Sequence, residues 1–117
     1  VQVAMHNANV KLIGFIPGLT SRLGPTHQAI DDLSLMRTLP NMTVIDPADA
    51  TEIEQLVWAL AEHDGPVYTR MMRREMPVIF DPGRYKFQIG RAVPVRDGGD
   101  IAIFSTGLIL KEVIPAA

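Results

Sequence analysis

The 117 residues predict an α/β chain built on a parallel sheet, and three features carry that expectation. The first is the nearly continuous apolar run Val10-Lys11-Leu12-Ile13-Gly14-Phe15-Ile16, of strand length, the pattern of a parallel strand covered on both faces. The second is helical periodicity in residues 49–64, where Ile53, Leu56, Val57, Leu60 and Ala61 recur at i, i+3, i+4, i+7 and i+8. The third is the order strand, helix, strand, helix, strand, which joins parallel strands by crossovers.

In chain order, residues 1–8 carry Val1, Val3, Ala4, Met5 and Ala8 at spacings that suit the tail of a packed helix, which Asn7 and Asn9 can close. After the first strand, Pro17, Gly18 and Gly24-Pro25 break regular structure, so residues 17–26 form a crossing loop at the strand's end, where open α/β sheets hold ligands. Ala29, Ile30, Leu33, Met36 and Leu39 then predict an amphipathic helix over residues 27–39, with Asp31 and Asp32 near its positive end. Pro40 and Asn41 stop it, and residues 42–45 form a second strand closed by Asp46-Pro47.

The helix over residues 49–64 opens on Asp49 and Glu52, spaced as a capping box, and ends at Gly65-Pro66. Val67–Met71 is the third strand, opening into the basic loop Arg73-Arg74-Glu75. Beyond Pro77 a connector runs through Phe80-Asp81-Pro82-Gly83-Arg84. Residues 90–95 and 101–105 read as two strands joined by Arg96-Asp97-Gly98-Gly99-Asp100, and Leu108 enters a helix. The expected division is residues 1–76 as one domain, 77–86 as linker and 87–117 as the start of a second α/β domain. The chain starts at Val1 and stops at Ala117 inside expected helices, so it reads as a fragment.

With 47% hydrophobic and 21% charged residues the composition is that of a globular protein. A net charge of −2 offers no basic footprint for nucleic acid. The absence of cysteine excludes disulfides and thiol nucleophiles and fits a reducing compartment. No apolar run reaches the roughly 20 residues that span a bilayer, and no signal sequence is evident, so a cytoplasmic location is expected.

His27, at the loop-to-helix junction, could hydrogen-bond a ligand oxygen or donate a proton near neutral pH; the plain alternative is that it satisfies loop backbone groups. His6 and His63 suit surface or capping roles. Arg70, at the C-terminal end of a parallel strand, could hold a phosphate or carboxylate in its fork, or pair with a nearby Asp or Glu. Asp31 and Asp32 are adjacent on a helix and point about 100° apart, which favours dipole and surface roles over a catalytic pair. Asp97 through Asp100 suit a hairpin turn better than a metal loop. No glycine-rich phosphate loop, His-Glu-x-x-His or cysteine metal pair is present.

Four motifs carry a resemblance over essentially the whole chain: Gly24-Pro25-Thr26-His27-Gln28, Arg37-Thr38-Leu39-Pro40-Asn41-Met42, Pro47-Ala48-Asp49-Ala50 and Gly65-Pro66-Val67-Tyr68-Thr69-Arg70. In order and spacing they resemble the transketolase family, above all its separately encoded C-terminal sections. The resemblance implies the later half of a pyrimidine-type thiamine-diphosphate-binding domain, with the start of the family's C-terminal domain from about Phe87. It implies transfer of a two-carbon ketol unit from a ketose or its phosphate to an aldose, with thiamine diphosphate supplying the carbanion chemistry.

By position, His27 would hydrogen-bond substrate oxygens beside the cofactor and Arg70 would hold the sugar phosphate. The family's activating glutamate and aromatic pocket would lie upstream of Val1, and the diphosphate and Mg²⁺ motif in another domain. That implies a pyrophosphate-binding domain or N-terminal subunit of another chain as partner, a homodimer or heteromer, and a fragment inactive alone. Two positions depart from the family. Leu23 stands where an Asp usually precedes Gly-Pro-Thr-His, and Phe15, Ile16 and Pro17 stand where a histidine usually follows the strand. Unpaired polar groups in a buried site cost about 1–3 kcal/mol each, which implies a different or less hydroxylated donor. Two alternatives remain: a non-catalytic pyrimidine-type module that pairs with a partner subunit, and a related enzyme acting on another ketose or a 2-oxo acid.

Overall fold

A computed structural model describes residues 1–20, 22–72 and 75–117, the Leu19 side chain excepted; Arg73 and Arg74 of the expected basic loop lie outside the described residues. The chain groups into two compact units, Val1–Asp46 with Glu62–Glu75, and Pro47–Ala61 with Met76–Ala117.

The first unit holds a three-stranded parallel sheet of β1 (Lys11–Phe15), β2 (Thr43–Ile45) and β3 (Val67–Met71), in the order β1-β3-β2. β3 pairs on both sides, and its Val67, Tyr68 and Thr69 are buried. The register sets Leu12 and Val44 opposite Tyr68, and Gly14 opposite Arg70. Because side chains alternate along a strand, Tyr68 and Arg70 share one face with Gly14.

At the N-terminal end of β1, the Lys11 ammonium donates to the carbonyls of His63 (2.7 Å) and Gly65 (2.9 Å), fastening the chain's return into β3. A short helix α1 (Gln2–Met5) precedes β1, and Asn7 turns the chain out of it at φ +48°. Asn41, also at positive φ, donates its amide to the Ala4 carbonyl at 3.1 Å. Among the described residues no helix is long and apolar enough to cross a membrane.

Two expectations for this unit change. β1 was expected to be covered on both faces, but it is an edge strand whose Ile13 and Phe15 are exposed while Leu12 and Gly14 are half-buried. The helix expected over residues 27–39 divides into a 3-10 turn, Pro25–His27, and a six-residue helix α2 (Asp32–Arg37). The cause lies between them: Ala29 forms a parallel bridge with Pro17 and its carbonyl accepts from the Gly18 N–H, so the chain is extended where the helix was expected. Of the expected apolar stripe, Leu33, Met36 and Leu39 are half-buried, whereas Ala29 and Ile30 are exposed.

The second unit is organised on helix α3 (Ala50–Glu62), all but its last residue lying here. Its N-terminus realises the expected cap. Asp49 Oδ1 accepts from the Glu52 N–H at 2.7 Å, and Glu52 Oε2 accepts from the Ala48 N–H at 2.7 Å. Asp49 is wholly buried, and its Oδ2 also accepts the N–H groups of Ile79 (2.7 Å) and Phe80 (2.8 Å).

Gln55 brackets the same segment, its amide donating to the Tyr85 carbonyl at 3.0 Å and accepting from the Phe87 N–H at 2.8 Å. The Tyr85 hydroxyl donates to Glu52, and its ring stacks on Phe80 with centroids 4.2 Å apart. Residues 79–87 are thus tied along α3 by Asp49, just before the helix, and by Glu52 and Gln55 within it. The two strands expected at residues 90–95 and 101–105 are not formed: no described sheet edge pairs with them, so Ile101 and Phe104 stay exposed. The chain closes with a 3-10 turn, Gly107–Ile109, and helix α4 (Leu110–Ala116).

Asp49 therefore satisfies three backbone N–H groups at once. Asp49→Ala is expected to lower the unfolding free energy by about 2–4 kcal/mol in urea titrations, since it removes a cap and strands buried donors; a change below about 0.5 kcal/mol would contradict this role.

Candidate functional site

An open cleft of about 450 Å³ lies at the C-terminal end of β1, lined by Phe15 and Ile16 on one side and by Pro25 through Ala29 with Asp31 on the other. Its polar wall is the Gly24-Pro25-Thr26-His27-Gln28 turn. Gly24 adopts φ 82°, ψ −176°, a combination essentially confined to glycine. An added Cβ there would meet nothing within 4 Å, so the requirement is torsional and not one of space. Pro25 follows as the first residue of the 3-10 turn, where its missing N–H and fixed φ suit the position.

These constraints present His27 at the surface of the cleft. Its Nδ1 lies 2.9 Å from the Thr26 hydroxyl, and its backbone N–H donates to the Gly24 carbonyl at 3.0 Å. Nε2 has no partner among the described residues, so one ring nitrogen is held and the other is available to a ligand. On the opposite wall Ile16 has φ +60°, a rare conformation for a β-branched residue, with its N–H donating to the Met71 carbonyl at 3.1 Å. The cleft is therefore two-sided in chemistry: apolar along Phe15 and Ile16, polar along Thr26, His27, Gln28 and Asp31.

Arg70 does not line this cleft. Its guanidinium grips Asp32 through two bonds, Nε to Oδ2 at 2.8 Å and Nη2 to Oδ1 at 2.5 Å. The Tyr68 hydroxyl donates to Oδ2 at 2.5 Å, and Asp46 Oδ2 stands 3.9 Å from Nη1. The Arg70 and Asp32 side chains are 16% and 12% exposed, so this pair is shielded from water. Gly14 is part of the arrangement, because a Cβ at that position would fall 2.4 Å from the Tyr68 hydroxyl.

The forked bond to Arg70 holds the Asp32 carboxyl down at about 2 against the opposing effect of burial. Burial, then the neighbouring carboxylate, pushes the Tyr68 hydroxyl up to about 12. The Asp32 bond likewise raises Arg70.

Of the two residues singled out from sequence, His27 reaches the cleft, while Arg70 takes the ion-pair alternative with Asp32. Asp32 itself was missed, since its place beside Asp31 suggested an exposed helix start. Asp31 is exposed, but Asp32 turns into the sheet face. The available signal was the open question of which acid Arg70 meets. His6 is the C-cap residue of α1, and His63 Nε2 lies 3.4 Å from the Thr43 hydroxyl, both away from the cleft residues. Among the described residues no three His, Cys, Asp or Glu side chains converge as metal ligands.

The lowered Asp32 value fixes a pH window. Its carboxylate stabilises the fold above the ordinary carboxylate range, and that share is lost as pH falls from about 4 toward 2. At pH 7, Asp32→Asn is expected to cost roughly 2 kcal/mol in urea unfolding, with the difference from the parent closing near pH 2. A gap independent of pH would contradict the pairing.

Residues 1–78 match the family described as transketolase, pyrimidine binding domain. The chain is 44% identical, over 98% of its length, to a transketolase family protein of Sinorhizobium fredii, of which it covers 33%. It is 40% identical over its whole length to a 6-deoxy-6-sulfo-D-fructose transketolase subunit of Clostridium sp., covering 36% of that protein. A solved split-gene transketolase, described as an inactive beta4 tetramer, superposes with a TM-score of 0.84 at 38% identity, over 97% of this chain and 36% of that one. The chain thus spans about a third of the length of these relatives. The parallel α/β fold and the ordered motifs agree with these matches: the chain belongs to the transketolase family, whose pyrimidine-binding domain its first 78 residues represent.

Proposed function

We propose that the chain is a section of a thiamine-diphosphate-dependent, transketolase-like transferase that passes a two-carbon ketol unit from a ketose or ketose phosphate to an aldose. In this reading residues 1–76 are part of the pyrimidine-binding domain, 77–86 the linker and 87–117 the start of the C-terminal domain. The observation that carries it is His27, held by Thr26 in a cleft at the C-terminal end of a parallel strand, in a chain of this family.

The residues fit one part of the cofactor. Phe15 and Ile16 would give a heterocycle an apolar wall, and His27 Nε2 would be the donor or acceptor that this side of the cleft offers. When bound, thiamine diphosphate supplies the carbanion chemistry of the transfer. The diphosphate and Mg²⁺ would rest on a pyrophosphate-binding domain or N-terminal subunit of another chain, as the family resemblance implies. A heteromer or homodimer is the proposed working assembly, and relatives named as transketolase subunits support pairing with another chain.

Within the site, His27 orients substrate oxygens and can hold or return a proton at Nε2. Arg70 is the proposed phosphate contact, a role it would take while Nε and Nη2 hold Asp32 and the Asp46 carboxylate stands 3.9 Å from Nη1. The apolar wall at Phe15 supports a donor with fewer hydroxyl groups on that side.

In the complete protein, His27→Ala is expected to lower ketol-transfer kcat/KM by about 10²-fold or more, measured across a panel of phosphorylated and unphosphorylated ketoses. No change on any donor that the parent uses would sink the role of His27. In the same panel Arg70→Ala is expected to raise KM for phosphorylated donors selectively. An equal effect on both kinds would instead assign Arg70 to holding Asp32 alone.

A further inference from the structure

The His27 turn lies largely at the surface. Pro25, Thr26, His27, Ala29, Ile30 and Asp31 are all exposed, and His27 bonds to its near neighbours Thr26 and Gly24. Helix α2, which follows, has six residues and no side-chain cap, too short to be stable by itself. Two anchors give this segment a position. On one side Ala29 is tied to the end of β1 through its bridge to Pro17 and the 2.5 Å bond from Gly18. On the other, Asp32 is fastened to the central strand by the Arg70 fork and the Tyr68 hydroxyl.

We infer that Asp32 is a positioning residue for His27: held by the Arg70 fork, it pins the start of α2 to β3 and, together with the Ala29 anchor that lies between, fixes where the imidazole stands in the cleft. This rests on the functional reading of His27 given above. A fork, unlike a single bond, fixes orientation as well as distance, and its shielding keeps it from being screened. Gly14 leaves room for the Tyr68 hydroxyl that completes the grip. Displacing a group that orients substrate by about 1 Å is enough to cost on the order of 10²-fold in rate.

The test is a double-mutant cycle in the complete protein, with Asp32→Asn and His27→Ala made singly and together, and with folding checked by near-ultraviolet circular dichroism. Asp32→Asn alone is expected to lower kcat/KM by about tenfold or more, mainly through kcat. In the His27→Ala background the same change is expected to cost less than about twofold, because the group being positioned is gone.

Arg70→Lys keeps the charge but not the fork and is expected to repeat this non-additivity; it decides the matter if Asp32→Asn does not fold. Equal losses from Asp32→Asn in both backgrounds, or no loss in either, overturn the positioning role and leave the functional reading standing. No loss in His27→Ala itself overturns the functional reading and this inference with it.

Discussion

The bond on which the described sheet face depends is the fork between Arg70 and Asp32. Both side chains are largely withdrawn from water, and taking either away would leave the other as an uncompensated, poorly hydrated charge. The arrangement is favourable because the carboxylate's lone pairs are well used, by two guanidinium bonds and by the Tyr68 hydroxyl. It also demands space, which Gly14 provides on the neighbouring strand. One ion pair thus ties the start of α2 to the middle of the sheet and accounts for a glycine, a tyrosine and an arginine that share one face.

Much of the fold was legible because it is written in local pattern. β3 falls on the expected Val67–Met71, and Gly65, at φ +112°, marks the break before it. Asp49 caps the Glu52 N–H as their spacing indicated, while the Glu52 carboxylate reaches one residue further back, to the Ala48 N–H. The α3 stripe was read too wide: Leu56 and Leu60 are buried, but Val57 and Ala61 are exposed. Pattern failed where the outcome depends on a distant partner. Ala29 and Ile30 have helical spacing with Leu33, yet the bridge from Pro17 draws Ala29 into an extended conformation. Val93, Val95, Ile101 and Ile103 alternate like strand residues without a ladder to join.

The site divides along the same line. The glycine-proline turn announces itself in sequence because its torsions admit few residues, and His27 comes with it. Asp32 and Arg70 meet across a separation of 38 residues that no local rule connects. For that reason the sequence left the Arg70 partner open and treated Asp32 as a surface acid. Asp49 shows a third case: it caps a helix with one oxygen and accepts the Ile79 and Phe80 N–H groups with the other. A spacing rule can find the first of these roles but not the second.

In the proposed enzyme the chain would contribute a cleft with a polar wall at His27 and an apolar wall at Phe15. The most direct measurement is calorimetric titration of thiamine diphosphate with Mg²⁺ into the complete protein, alone and with its partner subunit. Saturable, Mg²⁺-dependent binding is expected once the site is assembled. Absence of saturable binding in the complete assembly would contradict it and favour a module that pairs with a partner without binding the cofactor.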